Sequence, residues 1–452
     1  MSKLDESRLR PPAPVVELAE TLVQAGYPTW CVGGAVRDAL LGQIHQDWDL
    51  ATAATPAQMR RLFRRTVPIG IEFGTVGIID STGRMHEVTT FRRDVQTDGR
   101  HAVVEFGASL DEDLARRDFT INAIAFDPLR QVIHDPWDGR GDLQRGVVRA
   151  VGVPGERMKE DRLRALRGIR FASRFHFVLD NATWEAICES APHLGRLSPE
   201  RVKQEIDKTM EQLRHPSAAF RLWRESGAFA SVVPALSHVS DSTLLAVDRL
   251  PKPGVATRPL RRALRTAVLF SECDLRTAES AMRALRASNH ETSVVRSLVE
   301  RWRLAGPELS ASLRAGRVPP DSRLRRIAAD IGRVRVNGFL RFAAAHWGGD
   351  ETISASNVRV LFRRLMHIAF HDPIELADLA LDGDDLRQNG FKPGPQIGQI
   401  LHALLDAVVD DPSLNTREQL LTMAKNHHRP EPGTESGPEP EPGSRSGRSR
   451  LL

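Results

Sequence analysis

At 452 residues, 41% hydrophobic and 27% charged, with a formal net charge of +5, the chain has the composition of a soluble globular protein of about two to four domains. Its three cysteines, Cys31, Cys188 and Cys273, form no CxxC pair, which weighs against zinc ribbons and structural disulfides and points to a reducing, cytoplasmic location. No apolar run approaches the roughly 18 residues of a membrane span, residues 1–6 lack the apolar core of a signal peptide, and one tyrosine among few aromatics weighs against a stacking platform for single-stranded nucleic acid.

Residues 15–25 have the apolar spacing of a short amphipathic helix. Residues 29–32 read as a strand running into Gly33-Gly34, and residues 36–41 continue as helix closed by Gly42. Residues 47–50 form the next strand. Thr55, Pro56 and Gln58 then mark a helix start, with a Thr cap, Pro at the first position and Gln completing a capping box. Residues 74–80 and 84–91 read as two strands joined at Ser81-Thr82-Gly83. This order predicts a small mixed sheet backed by helices. From Glu156 onward strand signals nearly vanish, and helical patterns run to about residue 427, punctuated at Pro251 to Gly254, Gly306-Pro307 and Pro319-Pro320. Residues 429–452 are rich in Pro, Gly, Ser and Glu, a composition that predicts disorder.

The chemistry concentrates early in the chain. Gly33-Gly34 at a helix start presents backbone N–H groups suited to nucleotide phosphates, and Arg37 lies one turn beyond. Asp47 and Asp49, at i and i+2 on a strand, point to one face and can share Mg²⁺. Each pattern alone is common; their order and spacing together point to nucleotidyl transfer. Glu87, inside an otherwise good strand, completes an acidic site or faces solvent. Arg116 and Arg117 can neutralise a triphosphate, while Asp118 orients one of them or joins the acidic site. Residues 160–170 read as a helix with a polar ridge of Asp161, Arg164, Arg167 and Arg170. If that ridge faces the acidic site, it can hydrogen-bond base edges. His367 and His371 have metal-pair spacing, but the Glu of His-Glu-x-x-His is missing. Arginine far outnumbers lysine, which suits phosphate, although a GC-rich coding sequence has the same effect. Neither a P-loop nor a G-x-G-x-x-G motif is present.

These stretches resemble the class II tRNA nucleotidyltransferases and their poly(A) polymerase relatives. The resemblance covers about residues 30–205 in the family order: Gly33 to Asp38, Asp47 to Thr52, Glu87 to Arg92, Arg116 to Ala123, Asp135 to Gly139, Glu160 to Arg170 and Ser198 to Val202. Gly390-Phe391-Lys392-Pro393-Gly394 also resembles the tail of CCA-adding members. The resemblance implies an α/β nucleotidyltransferase head followed by an all-α neck, body and tail, seahorse-like in outline. The expected boundaries are residues 14–150 for the head, 151–215 for the neck, 216–350 for the body and 351–428 for the tail, before the disordered 429–452.

It further implies addition of CCA to tRNA 3′ ends from CTP and ATP. In that reading Asp47 and Asp49 hold Mg²⁺; Glu87 and Asp118, singled out by their place in the sequence and not by the resemblance, stand beside them as candidate catalytic carboxylates. Gly33, Gly34, Arg37 and Arg117 meet the nucleotide, and Asp161 and Arg164 act as an amino-acid template for its base, supported by Arg167 and Arg170. Residues 92–100 resemble the flexible loop used to switch to ATP, with His101 where a further Arg is usual. Enzymes that add only CC or only A, poly(A) polymerases, and a non-catalytic RNA-binding scaffold are the rival readings.

Overall fold

The computed structural model describes residues 4–43, 47–97, 102–251, 254 and 258–427. The expected tail at 429–452, residues 98–100 of the loop and His101 lie outside the described residues. Two compact units divide the chain: residues 1–317 with 338–358, and residues 318–337 with 359–452.

The first unit opens with α1 (Ala13–Gln24), whose Val15, Leu18, Ala19 and Leu22 are buried at helical spacing. Strand β1 (Thr29–Val32) runs into Gly33, and α2 (Gly34–Leu40) follows. Next come β2 (Asp49–Thr52) and α3 (Pro56–Leu62), the helix started by the expected Thr55–Gln58 capping box. The sheet continues with β3 (Thr66–Gly70), β4 (Thr75–Ile79) and β5 (Met85–Thr90). Outside it stand β6 (Arg92–Thr97) and β7 (Ala102–Phe106), a separate antiparallel pair, before α4 (Leu110–Ala115). Strands β8 (Ala125–Asp127) and β9 (Val132–His134) complete a seven-stranded sheet of order β3-β4-β5-β2-β1-β8-β9.

Within that sheet β2 and β5 run parallel, while the other neighbours are antiparallel. Strand β3 was not expected: its residues are mostly exposed and include Pro68, so it lacks the inward alternation of a core strand. The region read as a loop from residue 92 is instead strand through Thr97, paired from Arg92 opposite Phe106 to Thr97 opposite Ala102. Cross-strand pairing, which no local pattern reports, makes the difference.

Helices then dominate: α5 (Gly139–Arg145), α6 (Pro154–Glu160), α7 (Leu163–Phe175), α8 (Asn181–Ser190) and α9 (Pro199–Gln212) lead into further helices. The helix expected over residues 160–170 is in fact broken at Asp161. Its backbone is extended (φ −144°, ψ 104°), and its carboxylate accepts a hydrogen bond from the Leu163 amide at 3.0 Å. A short acidic side chain that competes for a backbone donor ends one helix and starts the next. Conversely, the break expected at Gly306-Pro307 does not occur, and one helix spans Asn289–Arg314. Burial of Ala305, Gly306, Leu309 and Leu313 along it compensates for the hydrogen bond that Pro307 cannot donate.

The second unit is helical. Leu381, Leu386, Phe391, Ile400, Leu404, Val408, Leu420 and Ala424 form one of its buried clusters. Helix Asp321–Ile331 belongs to this unit, although its residues precede the expected boundary at 351. No helix among the described residues is long and apolar enough to cross a membrane.

Candidate active site

A cleft of ≈ 510 Å³ opens where β1 ends and β2 begins, with Glu87 and Thr89 of β5 along it. Asp49 starts β2, and the parallel register that pairs Leu50 with Val88 sets Asp49 beside Glu87 of β5. Both carboxylates line the cleft. Asp49 is open to it, yet the surrounding walls desolvate the carboxyl, and Glu87 and Asp47 repel its charge. Arg117 only partly offsets this, so its pKa is pushed up to about 6.

Asp47 precedes the strand instead of lying on it. The β1–β2 ladder ends with Val32 opposite Asp49, because Gly33 turns the chain away and leaves Asp47 without a partner strand. Its carboxylate takes a 2.9 Å ion pair from Arg84 and is not part of the cleft lining.

Gly33 shows why a glycine stands at the head of α2. Its φ is +76°, and a Cβ there would lie 3.2 Å from Arg117 Nη1 and 4.0 Å from Asp49 Oδ2. The backbone thus passes between the acidic edge and the first arginine. Asp113, buried on α4, holds Arg116 at 2.8 Å and Arg117 at 3.0 Å, while the Arg117 Nε is buried with no partner.

Arginines line the cleft together with the carboxylates of Asp49 and Glu87. Asp118 accepts from Arg167 Nε at 2.9 Å and from Asn122 Nδ2 at 2.8 Å. Burial alone would raise its pKa, but Arg167 and Asn122 outweigh burial and hold it down at about 2. Of the two roles open to Asp118 in the sequence, this geometry favours orienting an arginine. Arg37 is buried and spends its donors on Asp38 at 2.8 Å and Asn122 Oδ1 at 2.5 Å.

At the far end, Asp161 and Arg164 both line the cleft. Arg201 on α9 grips Asp161 at 3.0 and 2.8 Å. Arg164 donates to the Arg157 carbonyl at 3.0 Å, Glu160 at 2.6 Å and the Arg116 carbonyl at 2.8 Å. Arg167 lines the same cleft, but Arg170 does not: it is buried against Glu205 at 2.6 Å and Gln212 at 3.1 Å. The break at Asp161 takes it out of the helical ridge, and the slow winding of an i+3 row carries Arg170 away from Arg167's face.

The structure therefore brings Gly33, Gly34, Arg37, Asp49, Glu87, Arg117, Asp118, Asp161, Arg164 and Arg167 around one cleft, with Asp47 at its edge and Arg170 behind it. Asn122 and Arg201 were not singled out from the sequence. Asn122 follows Asp118 by four residues, the only local sign of its bridging position. Nothing local connects Arg201 to Asp161.

Among the described residues no three His, Cys, Asp or Glu side chains converge to hold a metal by themselves. Mg²⁺ asks for less: one or two carboxylates, with waters and substrate phosphates completing its shell. Asp49 with Asp47, whose mutual repulsion a cation would relieve, fits that demand. His367 and His371 lie in the second unit with their rings stacked at 4.2 Å and no third ligand among the described residues.

A mixed sheet whose cleft is lined by both carboxylates and arginines has the makings of a nucleotidyltransferase. Accordingly, the poly A polymerase head domain family matches residues 29–149, the probable RNA and SrmB-binding site of polymerase A residues 176–239, and the putative tRNA nucleotidyltransferase domain 2 residues 350–424. The CCA-adding enzyme of Lactiplantibacillus plantarum is 34% identical over 430 residues, covering 90% of this chain and 94% of that one. That of Latilactobacillus sakei is 34% identical over 418 residues, covering 91% and 98%. Among solved structures, the Bacillus stearothermophilus CCA-adding enzyme in complex with CTP superposes with a TM-score of 0.71 at 30% identity, covering 92% of this chain and 97% of that one. The chain belongs to the CCA-adding enzyme family of tRNA nucleotidyltransferases.

Proposed function

We propose that this chain adds CCA to tRNA 3′ ends from CTP and ATP, without a nucleic-acid template and with release of pyrophosphate. One observation carries the reading: Asp161 and Arg164, each fixed by partners elsewhere in the fold, line the same cleft as Asp49 and Glu87. A base reader and an acidic edge in one cleft are what a polymerase needs when no template strand selects the nucleotide.

The tRNA 3′-hydroxyl attacks the α-phosphate in line, and pyrophosphate leaves. Asp47 and Asp49 are the residues that would hold Mg²⁺, which when bound supplies positive charge to the triphosphate and the attacking hydroxyl. Glu87 completes the acidic edge beside Asp49. Arg117, seated against Gly33, meets the triphosphate, and the close approach of the Gly33–Gly34 backbone leaves room for it. Asp118 keeps Arg167 oriented. Arg37, held by Asp38 and Asn122, lines the cleft beside Gly34, while Arg170, paired with Glu205, braces the wall from behind. Asp161 and Arg164 hydrogen-bond the Watson–Crick edge of C or A. The helices beyond residue 151 and the second unit hold the tRNA by shape and backbone contacts. No membrane partner is involved, and the reaction belongs in the cytoplasm.

Extension of tRNAs ending before CCA, at C and at CC, with each NTP and Mg²⁺ tests this. Stepwise C, C, A addition that then stops, and that disappears in Asp47→Ala and Asp49→Ala, is the expected result. Addition of CC alone or A alone reveals a split enzyme, and an unbounded A ladder a poly(A) polymerase. No incorporation under any of these conditions leaves only a binding scaffold.

A further inference from the structure

Phe171 has no part in the roles assigned above, yet three of the arginines meet on it. It lies on α7, is 5% exposed and lines the cleft. The guanidinium carbons of Arg170, Arg37 and Arg167 stand 4.4, 5.1 and 5.2 Å from its ring centre. Phe119 meets the ring edge-on at 5.9 Å, and Phe175 stacks at 6.2 Å while lying 4.7 Å from Arg37 on its own account. The ring's position is therefore set by aromatic neighbours, independently of the cations.

Three like charges on one side chain repel each other unless each is compensated. Carboxylates do part of this: Asp38 pairs with Arg37, Asp118 with Arg167 and Glu205 with Arg170. Each carboxylate grips the edge of a planar guanidinium and leaves it free to tilt about that edge. A ring face within about 6 Å attracts the cation electrostatically and holds it flat. For Arg37 and Arg170 the burial around them fixes the plane anyway. Arg167 differs: its side chain is 30% exposed and lines the cleft, with Asp118 on the guanidinium edge and the ring 5.2 Å from its central carbon.

We propose that Phe171 is a positioning residue for nucleotide binding: its π face sets the plane of the Arg167 guanidinium, so that this arginine of the cleft lining is ordered before the nucleotide arrives. This rests on the nucleotide reading of the cleft. A preordered arginine loses less side-chain freedom on binding, so the ring acts on affinity for the nucleotide more than on the chemical step.

The test measures CTP binding to the full-length protein by calorimetry, alongside kcat and KM for C addition to tRNA. Three variants are compared: Phe171→Leu, Phe171→Tyr and 3,4,5-trifluorophenylalanine at position 171. Fluorination nearly preserves the ring's size but removes the negative potential of its face. Leu is expected to raise the Kd and KM for CTP about ten-fold with kcat within about two-fold, Tyr to restore wild-type values, and the fluorinated ring to fall between them at about three-fold. Should the Leu protein fail to fold, the fluorinated one decides. A fluorinated protein that binds CTP as the wild type does would show that the ring acts by volume alone and would overturn the proposal. Equal losses in kcat and in affinity would overturn it too. A wild-type protein that binds no CTP refutes the nucleotide reading of the cleft, a failure distinct from a flat variant series.

Discussion

Arg201 holds both carboxylate oxygens of Asp161, at 3.0 and 2.8 Å, across a separation of 40 residues. Asp161 sits where α6 has ended and α7 has not begun, and locally its carboxylate is held by the Leu163 amide. The grip from α9 adds two more bonds to the side chain. Arg201→Ala is expected to leave the fold intact and lower kcat/KM for both CTP and ATP by about 10²-fold, with more incorporation of the wrong nucleotide. Steady-state kinetics with all four NTPs check this. Unchanged selectivity would show that Asp161 needs no external brace.

Asp118 provides a pH signature. Its folded pKa, about 2, lies below its ordinary value, so its pairing with Arg167 stabilises the fold fully above roughly pH 4. That contribution declines as pH falls toward 2. A shift of this size corresponds to about 2 kcal/mol. Asp118→Asn is therefore expected to cost about 2 kcal/mol in urea unfolding at pH 7, with a smaller difference from wild type at pH 3. A pH-independent difference would mean that packing, not the ion pair, explains the loss.

Gly33→Ala brings two penalties together: a left-handed φ of +76° and a Cβ 3.2 Å from Arg117 Nη1. The backbone strain costs about 1–2 kcal/mol, and displacement of Arg117 falls on the triphosphate side of the cleft. The expected outcome is a modest drop in Tm with a loss of activity far larger than the stability change explains. Thermal denaturation and CTP incorporation, measured on the same preparation, separate the two effects.

Phe391 is 6% exposed in the buried cluster of the second unit. Phe391→Ala should cost about 3–5 kcal/mol through the cavity it leaves. Because that cluster belongs to one unit, the expected signature is early proteolytic cleavage within residues 359–427, while CTP binding in the first unit persists. Parallel loss of CTP binding would show that the two units unfold together.

Much of the head was legible because its signals are local. The turn at Gly33, the Thr55–Gln58 box and the Ser81-Thr82-Gly83 turn between two strands each depend on a few neighbouring residues. Asp49, Glu87, Arg117, Asp161 and Arg164 were identified from residue type and order, and they do line one cleft. Less was legible wherever an element owes its conformation to a distant partner. Strand β3 exists because β4 pairs with it, and the Asn289–Arg314 helix survives Pro307 because its flanks are buried.

The sequence by itself determined which chemical groups the protein brings to nucleotides: carboxylates, arginines, a glycine turn and their order. Those are properties of residue type and short-range spacing, which covalent connectivity preserves. Only the tertiary structure decided how the groups divide the work. It set Asp47 off the strand, turned Arg170 to Glu205, gave Asp118 to Arg167, and fastened Asp161 to Arg201. The reason is electrostatic. A buried or cleft-bound charge is stable only beside a partner of opposite sign, and that partner is chosen by proximity in space, which the chain's order does not reveal.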